Sequence, residues 1–175
     1  MSPFLLSQAL VAVAIALDLS SFQFRQRRRI LQCLCLSTLL TSVHFGLLDQ
    51  WTGAGLMLLA SARFAVSMVS TARTWQWVFV ASGIVITWLT WSGVPSLLSG
   101  VGSTIQTLAA FRRCDRQLRL TMLVGISFWL AHNIVIGSPM AIALESLFIL
   151  SNLVGYLRHY GLPVLGNRRG AQPKG

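Results

Sequence analysis

Two histidines lie within long apolar stretches of this 175-residue chain, where an ionisable group is costly unless it is paired or hydrated. His44 precedes the turn at Asp49 by five residues, and His132 precedes Gly137 by five residues. At about 1.5 Å of rise per residue, both imidazoles are expected roughly 7 Å from the same membrane face. They can hydrogen-bond a polar substrate or relay protons, whereas a lone membrane histidine usually bonds a carbonyl of a neighbouring helix and only holds the helices together.

Arg63 follows Gly53 by ten residues and is expected near the middle of the membrane, roughly 15 Å deep. A guanidinium at that depth needs a carboxylate partner, and the two candidates are Asp18 and Glu145. A pair with Asp18 would be a structural ion pair between the first and third helices, which is the alternative we favour. An Arg63 that faces a cavity would instead select a substrate with a carboxylate or a phosphate.

Glu145, Asn133 and Asn152 add polar groups to the last two apolar stretches. Glu145 lies six residues after Pro139, roughly 9 Å from the same face as the histidines, so that all three can line one vestibule. Asn133 points about 100° away from its neighbour His132 and is expected to join helices. The candidate substrate-binding residues are His44, Arg63, His132, Asn133, Glu145 and Asn152.

The composition excludes an ordinary soluble domain. Apolar residues make up 54% of the chain and charged residues 10%, and the mean hydropathy is +0.67. Basic residues outnumber acidic ones by 14 to 4, yet no soluble domain remains to present a basic face to a nucleic acid. The positive charge is therefore expected to set the orientation of the chain in a lipid bilayer.

Seven stretches are long enough to cross a bilayer, which needs about 20 mostly apolar residues. They run from Pro3 to Phe24, Ile30 to Leu48, Thr52 to Ser70, Trp75 to Trp91, Val94 to Phe111, Leu118 to Ile136 and Pro139 to Leu157. Only Ser92 and Gly93 separate the fourth from the fifth, and the Gly-Val-Pro step there favours a break over one long helix. We expect an all-α membrane protein with one transmembrane domain over residues 1–158 and a flexible cytoplasmic tail over residues 159–175.

Every basic cluster falls in alternate loops. Basic residues follow the first, third, fifth and seventh stretches: Arg25, Arg27, Arg28, Arg29, Arg73, Arg112, Arg113, Arg116, Arg119, Arg158, Arg168, Arg169 and Lys174. Because cytoplasmic loops retain positive charge, the N-terminus is predicted outside and the C-terminus in the cytoplasm.

Enzymatic and metal chemistry find no support in the sequence. Cys33 and Cys35 point to nearly opposite faces of a helix, and both lie, like Cys114, near the reducing cytoplasmic side, which disfavours a disulfide or a thiolate metal site. No nucleophile stands beside a base in a recognisable motif, and no glycine loop follows a strand. We expect neither an enzyme nor a cofactor.

An internal repeat links the two halves of the chain. Phe24-Arg25 matches Phe111-Arg112 at an offset of 87, and His44 matches His132 at an offset of 88. Residues 3–70 and 94–158 would then be two three-helix repeats in the same orientation, with a linker helix at 75–91 as the extra crossing. Parallel repeats of this kind are typical of transporters, in which the substrate site lies between the two halves.

This layout resembles the SWEET sugar facilitators and the PnuC vitamin transporters. A denser resemblance is carried by Trp129-Leu130-Ala131-His132-Asn133, by Gly137-Ser138 with Glu145 and Asn152, by Tyr156-Leu157-Arg158, and by His44-Phe45 and Arg63. This pattern is similar to the YgjV family of bacterial inner-membrane proteins. The resemblance implies a multi-pass protein of the bacterial inner membrane and implies no particular activity.

Two functions from different classes follow. The first is a transporter or facilitator of a small polar metabolite, with its site between the two repeats. The second is a structural or interaction protein of the membrane, whose polar groups only fasten helices. The bilayer is the expected partner, and a homo-oligomer is compatible with either function. Convergence of His44, His132, Glu145 and Asn152 on an accessible space would favour transport, and a close-packed centre would favour the second function.

Overall fold

The computed structural model describes residues 2–21, 24, 27–70, 72–112 and 115–160, and this part of the chain is all-helical. The helices are α1 (Pro3–Ser21), α2 (Arg27–Leu47), α3 (Trp51–Ser67), α4 (Thr74–Leu89), α5 (Val94–Ala110), α6 (Asp115–Val135) and α7 (Pro139–Tyr160). The prediction of seven helices is confirmed. The helix ends differ from the predicted ends by a few residues, as assigned helix ends commonly do.

Residues with unusual backbone conformation separate the helices. Gly93, between α4 and α5, has φ +94°, and Gly137, between α6 and α7, has φ +70°. This left-handed region is readily available only to glycine, so that each helix ends there. Asp49 adopts φ +56° between α2 and α3. The expected break between the fourth and fifth helices is therefore present.

The end of the chain departs from the expected boundaries. α7 continues to Tyr160, so the tail that we predicted from residue 159 would begin inside this helix. Residues 161–175 lie outside the described residues, as do Arg25, Arg113 and Cys114. The predicted flexible tail is therefore untested.

Six of the helices pack in a closed ring in the order α1, α2, α3, α5, α6, α7 and back to α1. α4 lies outside this ring against α3 and α5. The first three helices meet the last three at two places, which we name the α3/α5 seam and the α1/α7 seam. The helices that meet at a seam determine which partners are available to the polar side chains there.

The buried and exposed faces of the helices are reversed relative to a soluble protein. On α1, the buried stripe is Ser7, Val11, Ala14 and Asp18, with the spacing of one helix face. Three of the leucines on this helix are exposed, namely Leu5, Leu6 and Leu19. Among the described residues, one stretch, Pro3–Ser20, qualifies as a membrane span by length and hydropathy, and four shorter apolar helices fall below the length limit. Polar residues turned into the ring lower the hydropathy of the other helices.

Two glycines let α5 and α6 cross at close range. A Cβ added to Gly102 would lie 3.1 Å from the carbonyl oxygen of Gly125 and 2.9 Å from Cδ1 of Trp129. α1 and α2 also cross closely, since the Ser37 hydroxyl donates to the carbonyl of Ala14 at 3.3 Å. Small residues at such crossings allow helix backbones to approach each other.

Candidate functional site

His44 is fully buried on α2 and is held at both ring nitrogens. Its Nδ1 lies 3.0 Å from the carbonyl oxygen of Ser7 on α1. Because a carbonyl only accepts, Nδ1 carries the proton, and in the neutral imidazole Nε2 is an acceptor. Nε2 lies 3.2 Å from the hydroxyl of Ser138, the residue before α7. His44 therefore joins α1, α2 and the start of α7.

His132 is fully buried on α6 and has a partner at one ring nitrogen. Its Nδ1 donates to the carbonyl of Pro95 on α5 at 2.9 Å. Its Nε2, which is then an acceptor, has no hydrogen-bond partner among the described residues. It lies beside Gly53 of α3, where an added Cβ would be 3.3 Å from Nε2. This imidazole presents an open acceptor inside the ring.

An aromatic layer of Phe45, Trp129 and the two histidines fills the ring at this depth. Phe45 of α2 stacks on Trp129 of α6 with ring centroids 5.7 Å apart, and its centroid lies 4.9 Å from that of His44 and 5.2 Å from that of His132. All four side chains are 0 or 1% exposed. The two histidines are thus brought together, as the sequence predicts, but they are packed around Phe45 instead of lining an accessible space.

Polar contacts close both seams near the starts of the odd-numbered helices. At the α1/α7 seam, Gln8 Oε1 accepts from the backbone N–H of Met140 at 3.1 Å. At the α3/α5 seam, the hydroxyls of Thr52 and Ser96 lie 2.7 Å apart, and Thr52 donates to the carbonyl of Thr90 at 2.7 Å. Both seams are therefore held by hydrogen bonds between helix starts.

Arg63 lies at the α3/α5 seam. Its Nη1 donates to Thr107 Oγ1 at 2.7 Å, its guanidinium carbon lies 5.4 Å from the ring centroid of Phe64, and its Nε has no hydrogen-bond partner among the described residues. α3 does not pack on α1 or α7, so neither Asp18 nor Glu145 is within reach. The predicted ion pair of Asp18 with Arg63 is not formed, because helices of one repeat that are two apart in sequence are not neighbours in the ring.

Asp18 and Glu145 instead belong to the two helices of the α1/α7 seam, and their carboxyl groups are close enough to interact electrostatically. The Ser37 hydroxyl also lies within hydrogen-bonding reach of the Asp18 carboxylate. Glu145 is 7% exposed, and its Oε2 has no hydrogen-bond partner among the described residues. Two carboxyl groups thus share one buried seam, and the guanidinium belongs to the other.

The two asparagines differ in their surroundings. Asn133 is buried on α6, and its Nδ2 lies 3.5 Å from the carbonyl of Ala141 on α7, while its Oδ1 has no partner among the described residues. Asn152 is half-buried on α7, two turns beyond Glu145. Asn133 therefore supports α7, as its helix-joining alternative predicts, and it keeps one open acceptor.

Two grooves lie on the outer surface of the ring and away from these residues. One, of about 350 Å³, runs between α4 and α5 beside Trp88 and Gly100, and the other, of about 550 Å³, runs beside Trp51 and Gly55. Both are lined mainly by apolar side chains. In a membrane protein, such grooves face the acyl chains.

Sequence reasoning missed Gln8, Ser138 and Thr107, which hydrogen-bond the starts of helices and the predicted residues. Hydroxyls and amides are common in membrane helices, so their types carried no signal. The repeat spacing carried a signal for the carbonyl partners of the histidines instead. His44 lies 37 residues after Ser7, and His132 lies 37 residues after Pro95. Among the described residues, no group of three or more His, Cys, Asp or Glu could hold a metal ion, and Cys33 and Cys35 are free thiols.

Comparison with known proteins assigns the chain to a family. Residues 5–162 match the family model Imp-YgjV, described as bacterial inner membrane protein. The chain belongs to the YgjV family. Its relative from Escherichia coli (strain K12), "Inner membrane protein YgjV", is 22% identical over 173 residues, which cover 99% of this chain and 92% of the relative. No solved structure matches the chain.

Membership of the YgjV family places the chain in the bacterial inner membrane, with lipid around its exposed apolar faces. The match includes all the candidate residues and both seams. The exposed tryptophans fit this setting, since Trp51, Trp77, Trp88 and Trp91 are exposed at the helix ends.

The separate seams predict additive effects of Asp18→Asn and Arg63→Gln. Each change replaces a charged hydrogen-bonding group by a neutral one and should lower the free energy of unfolding by about 0.5–2 kcal/mol. Since the two residues lie on helices that do not pack on each other, the double variant should lose the sum to within about 0.5 kcal/mol. Chemical unfolding of the purified protein in detergent measures this double-mutant cycle. A double variant that recovers stability would mean that the two groups pair in solution.

Proposed function

We propose that this protein is a transporter or facilitator of a small polar metabolite, with its path through the interior of the six-helix ring. The observation that carries the proposal is a set of buried polar atoms without hydrogen-bond partners among the described residues: Arg63 Nε, Trp129 Nε1, His132 Nε2, Asn133 Oδ1 and Glu145 Oε2. Each such atom costs about 1–3 kcal/mol. A path that takes up water and solute would satisfy them in another conformation.

Two parallel repeats are part of the proposal. The contact of Ser7 with His44 and that of Pro95 with His132 span the same number of residues. The seam pairs also correspond at an offset of 88, since Gln8 matches Ser96 and Thr52 matches Met140. An offset that maps one seam onto the other supports a twofold relation in which α1–α3 match α5–α7 and α4 is the linker.

The proposed orientation is supported by the same contacts and by the positions of the basic residues. The seam contacts put the starts of α1, α3, α5 and α7 at one end of the ring. The basic residues lie at the ends of α1, α3 and α5 or the starts of the next helices, including the exposed Arg28, Arg73 and Arg112. Positive charge at that end favours a cytoplasmic location for it, and an N-terminus outside.

Transport through such a ring requires the aromatic layer to open. Phe45 and Trp129 stack on each other inside the ring, and both they and the neighbouring His132 are fully buried. The seams are the surfaces along which the two repeats can move, because the contacts between repeats are concentrated there. A rocking motion of one repeat against the other is the usual form of alternating access in transporters built of repeats.

A structural or interaction protein is the second candidate. It is favoured by the histidines themselves, because each Nδ1 bonds a carbonyl of the preceding helix and His44 is fully partnered. In this alternative, the unpartnered atoms are satisfied by fixed waters, and no solute enters the ring.

A ligand screen followed by uptake separates the two candidates. Purified full-length protein is heated with a panel of sugars, organic acids, amines, amino acids and vitamins. A ligand that binds the folded state raises the Tm in proportion to its affinity and concentration. Each stabilising compound is then offered, radiolabelled, to proteoliposomes and to protein-free liposomes of the same lipid. We expect uptake that depends on the protein; a compound that binds without uptake, or no stabilising compound at all, contradicts transport.

A further inference from the structure

Glu145 lies on α7 in an apolar part of the α1/α7 seam. Leu144, the residue before it, packs with Val11 and Ile15 of α1, and Phe148, less than one turn later, packs against the same cluster. The Glu145 side chain is 7% exposed, and its Oε2 has no hydrogen-bond partner among the described residues. An ionised carboxylate in such surroundings is strongly disfavoured, whereas the neutral, protonated acid costs much less.

A second carboxyl group, that of Asp18 on α1, lies within electrostatic range of Glu145. The helix register agrees with this proximity. The Ser138 hydroxyl donates to Gln8 Oε1 at 3.4 Å, and from this contact Glu145 lies seven residues along α7 and Asp18 ten residues along α1. Because α1 and α7 begin at the same end of the ring, the two acids differ in depth by roughly 4.5 Å. Two carboxyl groups at such a range oppose each other's ionisation.

The two acids differ in their hydrogen bonds. The Ser37 hydroxyl of α2 lies within hydrogen-bonding reach of Asp18, and a hydrogen-bond donor stabilises the carboxylate form of an acid. Oε2 of Glu145 has no such donor among the described residues. Of the two acids, Glu145 is therefore the one that favours the protonated form.

The other titratable groups on the helices packed against α7 have their contacts away from Glu145. α7 packs on α1, which contributes Asp18, and on α6. His132 of α6 donates to α5 and lies beside α3. Three charged residues lie in the first two turns of α6, namely Asp115, Arg116 and Arg119. Arg116 Nε donates to the Tyr156 hydroxyl at 3.2 Å, which places these turns beside the end of α7, roughly 16 Å along the helix from Glu145.

We propose that Glu145 is a proton-binding site inside the membrane, which carries a proton while the α1/α7 seam is closed and releases it to water when the seam opens. The proton comes from water and returns to water, so that no other reactant is needed. In the proposed transporter, the proton would be the coupling ion. Only this coupling role rests on the proposed transport function, and the proton site itself does not.

Infrared spectroscopy tests the site directly, because a protonated carboxylic acid has a C=O stretching band that a carboxylate lacks. The chain has four Asp and Glu residues, so each can be replaced in turn in the full-length protein, purified in a detergent without ester groups. At about pH 7, where an exposed glutamate is roughly 0.2% protonated, we expect one such band that is lost at alkaline pH. Glu145→Gln should remove the band, and Asp18→Asn and the exposed Asp49→Asn should retain it.

The absence of a protonated band at about pH 7, or a band that persists in Glu145→Gln, overturns the proposal. A band that is lost in Asp18→Asn and kept in Glu145→Gln does so as well, because the proton then belongs to α1. If Glu145→Gln does not fold, retention of the band in all three Asp→Asn variants assigns it to Glu145 by elimination.

Thermal unfolding provides a second test, because glutamine copies the shape and neutrality of the protonated acid. The unfolded chain ionises Glu145 above about pH 4.3, so the unmodified protein must take up a proton when it folds. From that pH up to the pH at which the infrared band disappears, its Tm should fall relative to Glu145→Gln by about 4 °C per pH unit. Asp49→Asn should follow the unmodified protein. A difference that does not grow with pH contradicts a buried proton.

Solute accumulation tests the coupling role separately. A gradient of one pH unit equals a tenfold concentration ratio in free energy, so it should support up to about tenfold accumulation of a transported compound in proteoliposomes. Glu145→Gln should equilibrate the compound without accumulating it. Equilibration without accumulation by the unmodified protein overturns the coupling role and leaves transport standing. If no compound is taken up, transport is wrong, and the infrared titration still decides the proton site.

Discussion

Replacing Gly102 with valine should drive α5 and α6 apart and lower the free energy of unfolding by about 3 kcal/mol. A Cβ at this position would already lie 2.9 Å from Trp129 Cδ1 and 3.1 Å from the carbonyl oxygen of Gly125. The carbonyl belongs to the α6 backbone and cannot move aside as a flexible side chain would. Two further methyl groups then need space that only a displacement of the whole helix provides.

Gly46→Val is the matched control for this change. Gly46 is also within a helix, and a Cβ there would meet nothing within 4 Å. We expect that variant to accumulate in the membrane and to elute as a single species from a sizing column, with a Tm close to that of the unmodified protein. Gly102→Val should elute as aggregate or melt well below it. Similar melting of the two variants would show that α5 and α6 are not in close contact.

Truncating Trp129 to alanine should cost about 3–5 kcal/mol, the usual range for a large aromatic side chain removed from a core. Trp129 is the largest of the fully buried side chains among the described residues, and its ring packs against both Phe45 and His132. Its removal leaves a cavity in the aromatic layer and withdraws one of the ring contacts that join α2 to α6, while that of Phe45 with His132 remains. Chemical unfolding in detergent measures the loss.

Trp88→Ala provides the comparison, because Trp88 is 77% exposed on α4 and should change stability by no more than about 0.5 kcal/mol. A double-mutant cycle of Trp129→Ala with Phe45→Ala tests the stacking itself. We expect a coupling energy of about 0.5–1.5 kcal/mol. Independent losses would mean that the two rings do not stack in the membrane-embedded protein.

The helices and their breaks could be predicted from the sequence because they depend on local features. Length, apolar composition and the glycines at 93 and 137 determine where a helix can run and where it must end. The equal depth of His44 and His132 was also predictable, since it depends only on their distance from the turns. The offset of 88 links these residues before any contact is known.

The partners of the polar groups were decided by the tertiary structure. Arg63 donates to Thr107, and Asp18 comes within electrostatic range of Glu145, because the ring places α3 beside α5 and α1 beside α7. Sequence spacing determines the depth of a residue and the helix face to which it belongs, but it does not determine which helices are neighbours. Which helices are neighbours depends on how well their surfaces pack together. Gly102 and Gly125, for example, allow α5 to approach α6 closely. The sequence by itself therefore determined seven helices and the depths of their polar residues, and only the packing of the ring decided which of those residues meet.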